Sequence, residues 1–447
     1  MDIVSFLPQF AGLAMTLAAF VVALSVIVAV HEYGHYIVGR WSGIHADVFS
    51  LGFGPVLYAR VDKRGTKWQV ALLPLGGYVK FRGDADAASA GTDGQAIRAM
   101  TATEKRSTMN GAPLWARTAT VAAGPIFNFV LAIIVFTAIG LTRGVAVDPL
   151  TVGELRPVAM AHEVQPGDVI LAIDGRSLPQ AGEAGFAELT ASLPAAPLME
   201  YTVLRDGREV TVKGPHPMPP VITQLAPQSA AMATDLEPDD VILAVDGDPI
   251  FAFRQLREKV EGTEGAPLLL DVRRGDQTLQ VSLTPRRVDE PQDGGGFETN
   301  WRIGIIGGLF FDPMTETPGF MDAFTNGVAS MWEIIRGSLS GLYHMVTGAI
   351  STCNMSGPIG IAEVSGAMAS QGTESFIYFI AVLSTAVGLL NLFPIPVLDG
   401  GHLVFYAYEA VAGKPPSDKV LRVLMAAGLT IILSLMVFAL SNDIFCP

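Results

Sequence analysis

Four long apolar segments constrain the fold of this chain more than any other feature. Crossing the hydrocarbon core of a bilayer takes about 20 mostly apolar residues. The segments of sufficient length cover residues 10–38, 118–141, 376–396 and 420–440. Half of the 447 residues are hydrophobic, only 16% are charged, and the mean hydropathy is +0.41. The sequence therefore predicts a polytopic α-helical membrane protein with about four transmembrane helices.

The distribution of basic residues orients these spans. Eleven lysines and arginines lie between the first and the second span, whereas neither terminus carries one. The positive-inside rule places the loop of residues 41–117 in the cytoplasm and both termini outside. The chain begins with MDIVSF instead of a basic stretch, and its first apolar run is too long for a signal peptide, so we expect this span to be retained.

The segment between the second and the third span lies outside in this topology. It carries most of the acidic excess behind the net charge of −14, which argues against nucleic acid as a partner. The two cysteines, Cys353 and Cys446, also lie outside, where an oxidising compartment allows a disulfide. They show no CxxC spacing, so a disulfide and two independent cysteines both remain open.

The segment VAVHEYGHYIV, residues 28–38, places ionisable side chains inside the first span. His31 and His35 are four residues apart and share one helix face, so both imidazoles can bind a single metal ion. Glu32 stands beside them and is suited to take a proton from water, as in the H-E-x-x-H pattern. Two buried core histidines are the alternative, but ionisable groups at membrane depth are costly and usually functional. We therefore predict a zinc site.

A candidate for the third protein ligand lies in NLFPIPVLDGG, residues 391–401. Pro394 and Pro396 break the helix, and the two glycines at the end permit a tight turn. Asp399 then lies near the inner end of the third span, at the depth of the two histidines. A turn or helix-capping aspartate is the alternative reading of Asp399.

Together these motifs resemble those of the site-2 proteases, which are intramembrane zinc metalloproteases. HEYGH matches the family pattern HExxH, and NLFPIPVLDG matches NxxPxPxLDG. The resemblance covers nearly the whole chain and points to the bacterial inner-membrane branch typified by the regulator-of-sigma-E protease. It implies that one zinc ion is bound by His31, His35 and Asp399. It also implies that Glu32 is the catalytic base and that Asn391 engages the substrate backbone or the developing oxyanion.

The cytoplasmic loop contains VFSLGFGP and WQVALLPLGGYVKF, whose alternating apolar residues and glycines predict strands. The family resemblance implies a membrane-associated β-sheet beside the zinc, with an edge that captures unwound substrate. An ordinary cytoplasmic hairpin is the alternative. The further candidate substrate-binding residues are Gly52, Gly54, Gly76, Gly77, Pro394 and Pro396. In the second span, AAGPIFNFVLA contains Gly124 and Asn128; the family likewise has an asparagine there, and a small-residue packing face explains the glycine equally well.

The outer segment contains two near copies, VQPGDVILAIDG at residues 164–175 and LEPDDVILAVDG at residues 236–247. A duplicated unit of this size is a domain, and the pattern resembles tandem PDZ domains of α+β type. PDZ domains bind peptides as an added strand. Peptide binding and a purely steric cover therefore remain equal alternatives for this pair.

These features divide the chain into nine predicted regions. They are 1–40 (first transmembrane helix), 41–117 (cytoplasmic loop with the β region), 118–141 (second transmembrane helix), 151–215 and 216–288 (PDZ-like domains), 289–316 (flexible linker), 317–352 (amphipathic helical segment on the outer surface or on the spans), 374–401 (third transmembrane helix) and 420–440 (fourth).

The sequence predicts a zinc-dependent endopeptidase that cuts transmembrane segments within membrane lipid, in regulated intramembrane proteolysis. The resemblance suggests an anti-sigma factor or a remnant signal peptide as substrate, cleaved near the cytoplasmic face. A non-catalytic scaffold that recruits partners through the PDZ pair is the alternative, and the intact HExxH and Asp399 weigh against it. A transporter is a third option, and the absence of inverted repeats weighs against it.

Overall fold

The computed structural model describes residues 3–84, 100–179, 183–292 and 296–446. The described chain forms two compact units. The helical unit comprises residues 1–139, 320–342 and 355–446, and the sheet unit comprises residues 140–319 and 343–354. The helical unit carries both motifs that the sequence analysis predicts to bind a metal.

The helices follow one another along the chain as α1 (Ile3–Trp41), α2 (Ala102–Arg106), α3 (Leu114–Arg143), α4 (Glu183–Ser192), α5 (Phe253–Gly262), α6 (Phe320–Val346), α7 (Pro358–Ser370), α8 (Thr373–Asn391), α9 (Asp399–Ala412) and α10 (Asp418–Phe445). Within the described residues, four segments are long and apolar enough to cross a membrane: Gly12–Trp41, Leu114–Arg143, Thr373–Asn391 and Lys419–Phe445. The expectation of four candidate spans is confirmed.

The third predicted region, residues 374–401, is interrupted near its inner end, where two prolines were expected to break the helix. In the structure α8 ends at Asn391 and α9 begins at Asp399. Pro394 and Pro396 have no backbone N–H to donate, so the helix cannot continue through them. Asp399 is consequently the first residue of a separate helix.

Small residues let the helices of the helical unit approach closely. A Cβ atom on Gly366 of α7 would lie 2.3 Å from Oγ1 of Thr16 on α1. A Cβ atom on Gly327 of α6 would lie 2.7 Å from Oγ1 of Thr137 on α3. The amphipathic segment predicted at residues 317–352 thus contains α6, which packs on a span through this glycine.

The predicted strands of the cytoplasmic loop are present as β1 (Ala46–Val61) and β2 (Lys67–Phe81). Residues 46–51 of β1 pair with both ends of β2, so the long hairpin folds back on itself. Gly52 permits this fold because it has φ +87° and its Cβ would lie 2.8 Å from the carbonyl oxygen of Leu73. Beyond Gly52, the side chains of Phe53, Leu57 and Leu72 are exposed, so none of the described residues covers this apolar surface.

The strands of the sheet unit are β3 (Val145–Ala146), β4 (Val152–Leu155), β5 (Val169–Ile173), β6 (Arg176–Ser177), β7 (Met199–Arg205), β8 (Arg208–Gly214), β9 (Ile222–Leu225), β10 (Val241–Val245), β11 (Asp248–Pro249), β12 (Leu268–Arg274), β13 (Gln277–Leu283), β14 (Arg286–Pro291), β15 (Phe297–Arg302), β16 (Ile305–Gly307), β17 (Phe311–Pro313) and β18 (Thr315–Glu316). Two antiparallel sheets, ordered β6-β5-β7-β8 and β11-β10-β12-β13, have the same connections, with α4 and α5 at equivalent places.

Each of these sheets contains the same buried ion pair. Arg205 donates two hydrogen bonds of 2.7 Å to Asp168, and Arg274 donates two of 2.7 Å to Asp240. Both aspartate side chains are 1% exposed, so each carboxylate needs its arginine to offset the cost of burial. The two aspartates occupy the same position in the near-copied sequences.

The prediction of a flexible linker over residues 289–316 is wrong for the described part of that stretch. It contains the end of β14 and the whole of β15 to β18, and β16 pairs with β9 while β17 pairs with β4. Ile303 is buried in the core of the second sheet, and Phe310 and Phe311 are buried in the core of the first. The glycine run suggested a linker, but these apolar side chains supply the burial that orders the segment. Residues 293–295 lie outside the described residues.

The sequence left open whether the two cysteines are disulfide-bonded. Cys353 and Cys446 are both disulfide-bonded, and neither is free. The alternative of two independent free thiols is therefore wrong.

Candidate metal centre

Side chains from α1 and α9 converge at one point inside the helical unit. Nε2 of His31 lies 3.2 Å from Oδ2 of Asp399, and Nε2 of His35 lies 3.5 Å from the same oxygen. The two Nε2 atoms are 3.1 Å apart. Ligand atoms ~2.1 Å from a tetrahedral zinc ion lie ~3.4 Å from one another, so this triangle has about the size of a zinc site.

The chemistry of the three groups also fits a cation. Oδ2 of Asp399 is buried, with no hydrogen-bond donor aligned on it. Two imidazole nitrogens that carry lone pairs would repel this carboxylate oxygen at such short distances. A bound cation turns the repulsion into attraction, and the set of two imidazoles and one carboxylate is one that zinc accepts in catalytic sites. His31, His35 and Asp399 could therefore hold a zinc ion.

The other ring nitrogen of each histidine contacts α3. Nδ1 of His35 donates to the carbonyl oxygen of Thr120 at 2.8 Å, which leaves the Nε2 lone pair for a metal. Nδ1 of His31 lies 3.3 Å from Nδ2 of Asn128, whose side chain is fully buried and whose Oδ1 has no hydrogen-bond partner. Turning this amide by 180° places Oδ1 where it can accept the Nδ1 proton of His31. Both histidines can then present Nε2 to the same ion.

Gly124 of α3 brings the helix backbone against the two rings. A Cβ atom at this position would lie 2.3 Å from Nε2 of His35 and 2.8 Å from Cε1 of His31. Sequence reasoning left a general packing role open for Gly124. The structure gives the more specific reason that a side chain here would overlap the two imidazole rings.

Glu32 lies beside the three groups and contacts β2. The backbone N–H of Val79 donates to the Glu32 carboxylate, and a Cβ atom on Gly77 would lie 3.1 Å from Cγ of Glu32. Gly77 is thus needed for the strand to approach α1 closely. The same approach orients the carboxylate.

A cavity of about 880 Å³ contains this cluster. Of the predicted substrate-binding residues, Asn391 and Gly77 line the cavity, whereas Gly52, Gly54, Gly76, Pro394 and Pro396 are not part of its lining. The Nδ2 group of Asn391 donates to the carbonyl oxygen of Val387 at 3.1 Å. The amide oxygen and one amide hydrogen remain for other partners.

The cavity is also lined by residues that sequence reasoning did not single out. His402 and Tyr406 of α9 belong to this set, with the ion pair of Arg117 and Glu409. Burial lowers the pKa of His402 and thereby favours the neutral imidazole. Burial also raises the pKa of Tyr406, to about 12, so this phenol stays protonated. His402 follows Asp399 by three residues, and this helical spacing was the one local signal that could have identified it.

Comparison with known proteins agrees with this geometry. The model of peptidase family M50 matches residues 19–435. A relative named zinc metalloprotease from Agrobacterium fabrum is 35% identical over 431 residues, which cover 95% of this chain and 94% of the relative. The regulator of sigma E protease of Salmonella typhimurium is 31% identical over 459 residues, which cover 96% of this chain and 98% of that protein. The chain therefore belongs to peptidase family M50, the site-2 protease family, and is a zinc metalloprotease.

Proposed function

We propose that this protein is an intramembrane endopeptidase that cuts transmembrane segments of other membrane proteins, in regulated intramembrane proteolysis. The observation that carries the proposal is the convergence of His31, His35 and Asp399 beside Glu32, since two of these ligands lie on a helix long and apolar enough to span a membrane. A peptidase site at that depth is suited to substrates in the bilayer. By analogy with the relatives named regulator of sigma E protease, the substrate is an anti-sigma factor or a remnant signal peptide.

The proposed chemistry assigns one role to each group. His31, His35 and Asp399 hold the zinc ion, which when bound polarises a peptide carbonyl and makes water a stronger acid. Glu32 accepts the proton of the attacking water and then gives a proton to the departing amide nitrogen. The N–H of Val79 keeps the Glu32 carboxylate directed into the cavity during both transfers.

Substrate binding is proposed for the wall that β2 forms beside Glu32. Gly77, Tyr78 and Val79 line the cavity with a strand, and an extended peptide can lie along such a segment. A transmembrane helix must unwind before its peptide bonds can be cut, because the helical hydrogen bonds cover them. Asn391 faces the same cavity and can bind the exposed backbone, or the oxyanion as it develops, through its remaining amide atoms.

The proposed location is the bacterial inner membrane, with the zinc toward the cytoplasmic side. The basic loop between the first two spans supports this orientation, which leaves both termini and the sheet unit periplasmic. The two sheets of equal strand order support a PDZ-like pair. Such a pair can bind peptides or limit the size of substrates that reach the membrane.

The proposal is tested by two substitutions with opposite expected effects on the metal. Glu32→Gln should abolish cleavage of a transmembrane substrate in reconstituted vesicles and retain zinc, because an amide cannot act as base and Glu32 is not a ligand. Asp399→Ala should lose zinc and activity together, because it removes one of three protein ligands. Zinc loss from Glu32→Gln, or full zinc and activity in Asp399→Ala, would show that the roles are assigned wrongly.

A further inference from the structure

A half-buried ion pair joins α3 to α9 at the cavity wall. Nη1 of Arg117 donates to Oε2 of Glu409 at 3.0 Å, and Nη2 donates to Oε1 at 2.6 Å. The side chains are 12% and 17% exposed. Arg117 also donates Nε to the carbonyl oxygen of Ala112 at 3.1 Å, and the Tyr406 ring lies 5.2 Å from its Cζ. An ion pair that is joined by two parallel hydrogen bonds, and whose arginine makes these further contacts, has one defined geometry.

The helix that carries Glu409 also carries Asp399, and several of its other side chains are exposed in the described structure. Leu403 and Tyr406 pack against a core cluster of the helical unit, whereas Val404 and Val411 on other faces are 51% and 91% exposed. The segment that precedes α9 contains two prolines and is not helical, so α9 is not a continuation of α8. The rotation of α9 about its axis is therefore fixed by contacts along one face.

Asp399, Leu403, Tyr406 and Glu409 lie on that one face, because successive members are three or four residues apart. Glu409 is ~15 Å along the helix from Asp399. A constraint on the Glu409 carboxylate consequently sets the direction in which the Asp399 carboxylate points.

The partner helix α3 contacts both histidines. The carbonyl oxygen of Thr120 accepts from His35, and the Asn128 amide faces His31. Arg117 is on the same helix, one turn before Thr120. The helix α3 contributes none of the three candidate ligands. It contacts His31 and His35 directly, and the ion pair joins it to the helix that carries Asp399.

We propose that Arg117 and Glu409 are positioning residues that hold Asp399 in register with His31 and His35, so that zinc affinity depends on their pairing. This inference rests on the proposed ligand set. The pair links the two halves of that set, since the histidines come from α1 and the aspartate comes from α9. Without the pair, α9 can rotate about its axis, and the Asp399 carboxylate loses its fixed position beside His31 and His35.

The test measures zinc affinity of the full-length protein in detergent micelles by competition with a chromophoric chelator. Glu409→Gln and Arg117→Gln should each bind zinc about 10-fold or more weakly, the range found when groups that orient metal ligands are removed. Arg117→Lys should give an intermediate loss, because an ammonium cannot form the two parallel bonds. The double variant Arg117→Glu with Glu409→Arg should recover most of the affinity.

A matched control and a reference variant separate the possible outcomes. Asp47→Asn removes an exposed ion pair with Arg82 in the same unit and should bind zinc as the wild type does. Asp399→Ala shows whether the ligand set is correct, since unchanged zinc binding there would refute the proposed function itself. If Asp399→Ala loses zinc while the Arg117 and Glu409 variants keep wild-type affinity, the positioning role alone is refuted. Equal losses in Asp47→Asn, or no recovery in the charge-swapped variant, would also overturn it.

The experiment remains decisive if one variant does not fold. Each protein is first checked for a single symmetric peak in size-exclusion chromatography. If the glutamine variants fail this check, Arg117→Lys and the charge-swapped protein are compared. The absorption spectrum of bound Co²⁺ then reports whether the coordination geometry has changed. An unchanged spectrum and affinity in Arg117→Lys would count against the proposal.

Discussion

Nε2 of His35 lies only 2.3 Å from the position that a Cβ atom would occupy on Gly124. The two residues are on different helices, α1 and α3, so the backbone of α3 forms one wall of the space between the metal-binding groups. A helix that supplies none of the three candidate ligands thus limits the space available to an ion between them. Protein interiors are close-packed, so there is no free volume for an extra methyl group at such a distance.

The first prediction is that Gly124→Ala prevents zinc binding. The added methyl group would overlap Nε2 of His35 and displace the imidazole from the ligand triangle, so zinc content and proteolysis should both be lost. Zinc is measured by elemental analysis of the purified protein. Gly12→Ala is the matched control, because Gly12 is also on a predicted span and a Cβ atom there meets nothing within 4 Å. Full zinc content in Gly124→Ala would contradict the assigned geometry.

The second prediction concerns the orientation of His31. Asn128→Leu removes the acceptor for the Nδ1 proton while it keeps the branched arrangement of heavy atoms, and zinc affinity should fall ~10–100-fold. Asn128→Asp keeps an acceptor and adds negative charge, so zinc affinity should equal or exceed that of the wild type. Chelator competition measures both variants. If Leu and Asp weaken zinc binding equally, Asn128 acts only through packing and the tautomer argument fails.

The sequence predicted the parts of the site that depend on local spacing. His31 and His35 are one helical turn apart, and Asp399 follows a pair of prolines that must end a helix, so the structural context of each was readable from neighbouring residues. The roles of Gly124 and Asn128 were not readable in this way. A glycine and an asparagine in an apolar helix fit several uses, and only the proximity of His31 and His35 selects among them.

Contacts between distant segments of the chain could not be predicted. Arg117 and Glu409 are 292 residues apart, and neither belongs to a motif that indicates the other. The strands β16 and β17 were mistaken for a linker because the glycine run before them is a strong local signal. Their partners β9 and β4 lie far away in sequence, and long-range pairing overrides local preference.

The third prediction is a pH dependence of stability in the sheet unit. Burial by itself would raise the pKa of Asp168, but hydrogen bonds from Arg205 and from the N–H of Gln165 outweigh it and lower this pKa below its usual value. A carboxyl group with a lowered pKa stabilises the fold above its unfolded pKa of ~3.9, and the contribution is lost as the pH falls through the folded value. Stability around β5 and β7 should therefore decrease below about pH 4.

This dependence is measured on the full chain by hydrogen exchange of the β5 and β7 amides, corrected for the intrinsic pH dependence of exchange. Asp168→Asn should weaken protection at pH 7 by about 2 kcal/mol, the scale of a hydrogen bond to a charged group, and should flatten the acid dependence. Asp276→Asn is the control, because Asp276 is an exposed residue of the turn between β12 and β13. An acid dependence that persists unchanged in Asp168→Asn would assign the effect to another group.

The fourth prediction concerns access to the site, and the pairing of β3 with β18 makes it testable. These strands are antiparallel, and the Val147 N–H donates to the Met314 carbonyl oxygen at 3.0 Å. Residues 148–313 can therefore be replaced by a two-residue Asn-Gly turn that closes a short hairpin. A deletion of only the two predicted PDZ-like domains would leave β16 and β17 without β9 and β4, and their apolar residues would be exposed.

If the sheet unit acts as a size filter, the excised protein should cleave a substrate that retains a large external domain, which the wild type rejects. It should cleave a trimmed substrate at nearly the wild-type rate, because the deletion removes no metal ligand. Glu32→Gln in the excised protein is the control, and it should cleave neither substrate. Rejection of the untrimmed substrate by the excised protein would refute the filter, and a slower reaction with the trimmed one would favour a recruiting role, since a PDZ-like pair that binds peptides raises the local concentration of substrate.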